Sequence, residues 1–526
     1  MTATGTTTLG DRLEARACRL ERRPGLFVAF LAVIYVILIW PSVGRHLWFD
    51  ELHTFYMAQA PSLQEFIAEY RTLDLNPPLS FLIVRGSIEV FGPTEFGARF
   101  PSILGYFIGS LALFVFVRRR VGSWWAAAGV GLFWCNPYFY LTTEARPYSV
   151  LLGFFGLALV SWDRVANYAA VGLERKRALA GVGIGITGML LTHAYAPLWV
   201  MPFWAAELVR SWRTRRIDWP LWALLIVPMA ACLTYLPLIR SVDGAVVPTG
   251  GQGSIAKPFW YYVAIFLGVC PALVVATFFA FGIAAWRNRG ATSISASEPI
   301  SPAGFQPAEL TFLVAALLPP ELMNLVSMYT HGPFYGRHAF LTVLTVNLLV
   351  VLFIAYESRA NRLSGMAVAL VIVGFSVYFL WHMDMNSVAP DLKLPLLGKD
   401  LNQVHPELPL VANSVLTYLE MDHYENPAVL ARLYYVVDPE SSIKYTHSNL
   451  TEGAFVLKQH FPIRANASTY ADFATTHRHF MVFGDINLQR GWLLLKLKAE
   501  GAQVTELGRL DTPYPASKLY EVRLDP

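Results

Sequence analysis

The chain has 526 residues, is 55% hydrophobic and 15% charged, and carries a formal net charge of +4; its mean hydropathy is +0.43. A soluble domain holds about 45–50% apolar residues, whereas apolar runs of about 17–25 residues, long enough to cross hydrocarbon, recur along this chain. These features exclude an ordinary soluble enzyme and point to a polytopic membrane protein, and so small a net charge gives no case for nucleic acid.

In chain order, residues 1–24 form a basic tail holding Arg12, Arg16, Arg19, Arg22 and Arg23, followed by a first apolar span at 25–41. Pro41-Ser42-Val43-Gly44-Arg45 lacks the small-residue pattern of a signal cleavage site, so the span is read as uncleaved with a cytoplasmic amino terminus. A long first outer loop, 42–97, opens on Trp48-Phe49-Asp50-Glu51. Within it, 79–91 is apolar but short and contains Arg85 and Glu89. A charge at the bilayer centre costs about 2.5–3.5 kcal/mol, so 79–91, and with it 64–70, is predicted as a helix lying in the interface. Further spans are predicted at 98–117, 124–141 and 147–162, and two more from 179–209, split at His193-Ala194-Tyr195. The rest fall at 220–239, 259–286, 310–328, 338–356 and 366–381, with a Ser/Pro/Ala-rich linker at 291–307. That makes about 11 spans and a transmembrane domain at 25–382. Segments this threading puts in the cytoplasm carry twenty Lys and Arg, against eight on the other side before the tail, which is the sign the positive-inside rule requires.

The odd span count puts residues 383–526 outside, as a small α/β extracytoplasmic domain. Strands are predicted at 408–412, 479–483, 503–510 and 519–524, and a helix at 490–498. Asn449-Leu450-Thr451 and Asn466-Ala467-Ser468 match the glycosylation sequon. The cysteines, Cys18, Cys135, Cys232 and Cys270, lie in the basic tail and in apolar segments, so no disulfide framework is indicated.

Unusual polar residues gather near the outer ends of the spans. They are Asp50, Glu51 and His53 after the first span; Glu144, Arg146 and Tyr148 between the third and fourth; His193 and Tyr195 between the fifth and sixth; Glu321 in the ninth; and Tyr335, Arg337 and His338 before the tenth. Acids, bases and aromatics from distant segments on one membrane face suggest an outward-opening cavity. Each also has a plainer reading. Asp50 could be a solvated helix-end acid, Glu144 and Arg146 a pair across a turn, His193 a satisfied helix-end histidine, and Arg337 a snorkelling residue. A lipid flippase or transporter would also bury charges in a bundle, but would more often show inverted repeats and interrupted helices. A non-catalytic scaffold leaves the outward acids without a purpose.

The motifs taken together resemble the GT-C class of membrane glycosyltransferases, in the branch of the protein O-mannosyltransferases and the lipid A aminoarabinose transferases. The resemblance rests on Trp48-Phe49-Asp50-Glu51, on Asn76-Pro77-Pro78-Leu79 followed by the run from Phe91 to Ser102, on Thr143-Glu144-Ala145-Arg146-Pro147-Tyr148 and on Leu191-Thr192-His193-Ala194-Tyr195. It covers about 25–240, with a weaker echo at Tyr335-Gly336-Arg337-His338, where relatives often show Arg-Tyr. It implies a sugar donor on a polyprenyl phosphate, inverting transfer to an acceptor hydroxyl, and Asp50 as catalytic base. Glu51, His53, Glu144, Arg146, Tyr148, His193, Tyr195, Tyr335, Arg337 and His338 are then expected to bind donor or acceptor, with Glu51 anchoring its loop. The acceptor would be a glycolipid, a polysaccharide end or a protein hydroxyl. The step requires no cofactor, although Asp50, Glu51 and Glu144 form a possible divalent-metal set. The expected location is a bacterial inner membrane.

Overall fold

The computed structural model describes residues 9–73, 76–167, 170–235, 253–290, 305–330, 334–393, 405–447, 458–484, 491–510 and 518–524. Helix α1 (Leu9–Glu21) leads into α2 (Pro24–Val43), then α3 (Phe49–Ala58), α4 (Leu63–Leu73) and α5 (Leu79–Phe91). Next come α6 (Glu95–Val121), α7 (Ser123–Trp134), α8 (Pro147–Asn167), α9 (Gly172–Leu190), α10 (Ala196–Thr214) and α11 (Trp219–Ile226). The helical part closes with α12 (Lys257–Gly290), α13 (Pro307–Ala315), α14 (Pro319–Thr330), α15 (Leu341–Glu357) and α16 (Arg362–Lys393).

Among the described residues, four segments are long and apolar enough to cross a membrane: Pro24–Val43, Glu95–Val121, Pro147–Ala166 and Pro307–Tyr329. Trp219–Leu233, Leu341–Glu357 and Arg362–Tyr378 are apolar but shorter. Several predicted spans differ in detail, mostly at proline. The segment 124–141 is not one helix. It breaks after Trp134 at Asn136-Pro137, where the Asn136 side chain accepts the Tyr138 N–H (2.7 Å), and continues as a 3₁₀ turn, Phe139–Thr143. The segment 310–328 breaks before Pro319-Pro320 into α13 and α14. After α11 the chain tightens to 3₁₀ geometry at Val227–Thr234, which begins with Pro228 near its start. The linker at 291–304 and the sequon at Asn449 lie outside the described residues.

Helix α6 is the spine that positions the site. The Thr94 side chain caps it by accepting the Gly97 N–H (3.1 Å), Glu95 occupies its first turn and Arg118–Arg120 its last, matching the helix dipole. It stops at Gly122, whose φ of +97° only glycine adopts without strain. Small residues let α8 approach closely: a Cβ on Gly105 would meet the Ser149 carbonyl at 2.3 Å, and one on Gly156 the Ala112 Cβ at 2.7 Å. The start of α8, next to Arg146, is thereby fixed against the start of α6.

The described residues of the tail form a six-stranded sheet: β1 (Leu410–Ala412), β2 (Leu433–Val437), β3 (Asn466–Thr469), β4 (His479–Phe483), β5 (Gln503–Arg509) and β6 (Lys518–Arg523). Their spatial order is β3-β2-β1-β4-β6-β5, with the first four parallel and β6 antiparallel to both neighbours. Helices α17 (Val415–Tyr424), α18 (Pro427–Arg432), α19 (Pro439–Thr446), α20 (Tyr470–Thr476) and α21 (Trp492–Ala499) accompany it. Strands β2 and β3 and most of these helices are not predicted: β2 is largely buried on both faces and so lacks a readable period, and β3 is only four residues of small polar type, partly exposed. The period-2 rule still sorts the two faces. Val411, Val436, Phe480 and Val482 pack on Trp492 and Leu494. Leu410, Ala412, Leu433, Tyr435 and Met481 join one core with Phe55, Tyr56, Phe66 and Phe81 of the first loop.

Candidate active site

The two adjacent acids take opposite environments at the start of α3. Glu51 is buried, and its carboxylate receives the Arg99 guanidinium in a two-pronged contact, Nε to Oε1 at 2.8 Å and Nη2 to Oε2 at 2.7 Å. The Ala145 N–H adds a bond to Oε1 (2.8 Å). Arg99 is fully buried and donates also to the carbonyls of Val43 (2.9 Å), Arg45 (2.6 Å) and His46 (3.0 Å). This latch ties the end of α2, the start of α3, α6 and the Thr143–Tyr148 turn to one point.

With Glu51 turned inward, Asp50 faces the site. Its Oδ2 lies 3.4 Å from Arg146 Nη2 and 3.4 Å from Arg337 Nη2, and Arg146 Nη1 also donates to the Asp50 carbonyl (3.2 Å). Two guanidinium groups from different segments thus share one carboxylate oxygen. Aromatic rings surround Arg337: its Cζ is 5.1 Å from the Tyr335 ring centre, 5.8 Å from Trp48 and 6.0 Å from Tyr148. His338 sits among Tyr195 (5.4 Å), Tyr335 (5.6 Å), His193 (5.9 Å) and Tyr148 (6.1 Å), by ring centres. The His193 Nδ1 accepts the Tyr195 N–H (3.1 Å), closing the turn between α9 and α10.

Glu144 is buried beside this group. Burial, with Glu51 second, pushes its carboxyl up to about 7, against the pull of Arg146, Arg337 and Arg45. Among the described residues, the buried atoms Glu144 Oε2, Arg337 Nε and Trp48 Nε1 make no hydrogen bond within the protein. Buried polar atoms are normally satisfied, and these three belong to neighbouring residues: Arg337 lies beside the Trp48 ring and acts electrostatically on Glu144.

The structure therefore gathers Asp50, Glu144, Arg146, Tyr148, His193, Tyr195, Tyr335, Arg337 and His338. His53 points elsewhere: its ring is edge-on to Phe81 (6.4 Å) and to Phe461 of the tail domain (5.9 Å). Glu321 is exposed on α14, with Tyr262 as its electrostatic neighbour. Of the three acids that the sequence offers as a metal set, Asp50, Glu51 and Glu144, Glu51 has both oxygens bonded by Arg99 and the Ala145 N–H. No group of three metal-ligating side chains occurs among the described residues.

Three contributors escaped sequence reasoning. Arg99 was the most findable, since an arginine in an apolar helix needs a buried partner. Glu420 and Tyr424 belong to α17 of the tail domain. Glu420 Oε1 accepts the Phe49 N–H (3.2 Å), the Tyr424 hydroxyl accepts the Leu47 N–H (2.6 Å), and the Tyr424 ring stacks on His46 at 4.0 Å. The tail domain thus accepts the backbone N–H groups on either side of Trp48, next to Asp50.

The sequence model of the dolichyl-phosphate-mannose-protein mannosyltransferase family matches residues 75–237. No curated protein matches the chain in sequence. Among solved structures, ArnT from Cupriavidus metallidurans bound to undecaprenyl phosphate aligns with a TM-score of 0.55 at 16% identity, covering 95% of this chain and 98% of that one. The apo state of the same protein aligns at 0.55 and 16%, covering 94% and 98%. The protein O-mannosyltransferase complex of S. cerevisiae bound to the sugar donor reaches only 0.32 at 19% identity, over 42% of this chain and 33% of that one. In sequence over residues 75–237 and in fold over nearly its whole length, the chain resembles the GT-C membrane glycosyltransferases of the branch that contains the protein O-mannosyltransferases and the aminoarabinose transferases.

Proposed function

We propose that this protein is an inverting glycosyltransferase that moves a sugar from a polyprenyl-phosphate donor to an acceptor hydroxyl on the extracytoplasmic face of the membrane. The observation that carries the reading is the Asp50 carboxylate held between Arg146 and Arg337, each 3.4 Å away. Glu51 and Arg99 cancel one another. Asp50 offsets one of the two guanidinium charges beside it, and the carboxyl of Glu144, pushed up to about 7, is only about half ionised at neutral pH, with Arg45 a further cation nearby. The surplus positive charge suits a phosphodiester.

In the reaction, Asp50 takes the proton of the acceptor hydroxyl as its oxygen bonds to the anomeric carbon. The bond from that carbon to the phosphate oxygen breaks, with one inversion and an oxocarbenium-like transition state. The leaving group is a phosphate monoester with a second pKa of about 6, so it departs unprotonated. Its growing charge needs stabilisation, which Arg337 and Arg146 provide. At an effective dielectric of about 20, each contact near 4 Å is worth on the order of 4 kcal/mol before desolvation is subtracted. Glu144, His193 and His338 orient sugar or acceptor hydroxyls, while Tyr148, Tyr195 and Tyr335 wall the site. The step needs no metal.

The test is sugar release from defined polyprenyl-phosphate sugars by purified protein in nanodiscs, with membrane extract as acceptor source, in the presence and absence of EDTA. Consumption of one donor, unchanged by EDTA, supports the reading. Failure to consume any donor beside an active control enzyme counts against it.

A further inference from the structure

A charged cavity lies at the end of α6 away from the candidate site. From Arg99 to Arg119 the helix rises about 30 Å at 1.5 Å per residue, close to the thickness of the hydrocarbon core. There a cavity of about 400 Å³ is lined by Glu21, Arg22, Arg118, Arg119, Arg120 and Arg362, among others. A neighbouring hollow is lined by Arg16, Arg19, Leu20, Arg22 and Arg23. Orienting a membrane protein requires only that basic residues sit on one side. It does not require them to gather round a cavity.

The acids at this end are already committed. Glu21 pairs with Arg362 (2.5 Å) and accepts the Ser123 N–H (3.1 Å). Asp163 takes Arg119 (2.6 Å) and Arg120 (2.7 Å), and Glu309 also pairs with Arg120. Arg22 and Arg118 are exposed and form no ion pair among the described residues. The cavity therefore presents net positive charge. Apolar side chains lie close by: Leu20 is exposed in the neighbouring hollow, and Leu26, Phe30, Val33 and Ile37 form an exposed stripe up one face of α2.

We infer that this cavity binds the phosphodiester headgroup of an anionic phospholipid, with the acyl chains lying along the apolar stripe of α2. Arg22 and Arg118 hold the phosphate, while Arg119, Arg120 and Arg362, fixed by their acids, shape the pocket. Basic pockets between membrane helices recognise headgroups in this way. The inference stands on the membrane fold and not on the transfer reaction.

The experiment measures binding to full-length protein in detergent, by native mass spectrometry and thermal shift. The probes are short-chain phosphatidylglycerol, short-chain phosphatidylcholine and inorganic phosphate. The comparison is wild type, the double variant Arg22→Gln/Arg118→Gln, and a control, Arg215→Gln/Arg216→Gln, with the same charge change elsewhere. Two arginines near the surface account for about thirtyfold in affinity. Phosphatidylglycerol is expected to bind and stabilise the wild type and the control, with about thirtyfold weaker binding to the first variant. The variant should melt like wild type when no lipid is added. Equal binding of phosphatidylcholine, an equal loss in the control, or undiminished binding by the first variant would overturn the site. Stabilisation by inorganic phosphate alone would overturn the lipid as its occupant.

Discussion

Neighbouring acids should respond in opposite ways to the same amide substitution. Glu51→Gln leaves Arg99 fully buried with only carbonyl partners, since the anion that balances it is gone. Removing one member of a buried ion pair costs about 3–5 kcal/mol. At about 2.1 cal/mol/K of unfolding entropy per residue, the chain's 526 residues give about 1.1 kcal/mol/K, so the melting midpoint should fall by about 3–5 °C. Asp50 keeps about a fifth of its side chain exposed, against 1% for Glu51, so Asp50→Asn should lose less stability than Glu51→Gln while losing turnover. The assay is thermal unfolding in nanodiscs, read by intrinsic fluorescence, with donor turnover measured on the same samples. A Glu51→Gln protein that melts like wild type would refute the latch. Loss of stability in Asp50→Asn as large as in Glu51→Gln would refute the division of roles between the two acids.

Three further outcomes are expected. Because burial raises the folded-state value of Glu144 from 4.5 to about 7, its contribution to stability is present below about pH 4.5 and is lost as pH rises through 7. Melting curves between pH 5 and 8 should therefore show a decline that Glu144→Gln removes, and an unchanged decline in that variant would count against the assignment. Arg337→Ala should lower donor turnover by about 10²–10³, with Arg337→Lys recovering part of it, because a lysine restores charge without the planar fork; equal kinetics in all three proteins would remove Arg337 from phosphate stabilisation. Glu420→Ala removes the acceptor for the Phe49 N–H, worth about 1 kcal/mol as a cap, and should lower kcat several-fold at unchanged KM. A change in KM alone would make α17 part of acceptor binding instead.

The sequence makes the membrane class legible because burying apolar helices in lipid needs long runs, and those survive in composition. It also flags the segments around Asp50, Arg146, His193 and Arg337, since polar residues at helix ends need a reason. It does not show which of Asp50 and Glu51 turns inward. That depends on Arg99, almost fifty residues later, and on the Ala145 N–H, contacts that exist only once α6 and α8 pack through their glycines. Proline breaks at Pro137 and Pro319 were visible as residues but hidden inside hydropathy windows that average over them. The role of α17 was out of reach. It joins the ends of the chain through one carboxylate and one hydroxyl, and nothing in the local pattern of Val415–Tyr424 marks those atoms as partners of α3.

The most direct measurement is single-turnover transfer from a consumed polyprenyl-phosphate sugar, comparing wild type with Asp50→Asn at matched protein level and matched donor binding. The account predicts that donor still binds Asp50→Asn while sugar transfer falls to background. Near-normal transfer by Asp50→Asn would contradict the assignment of Asp50 as the base.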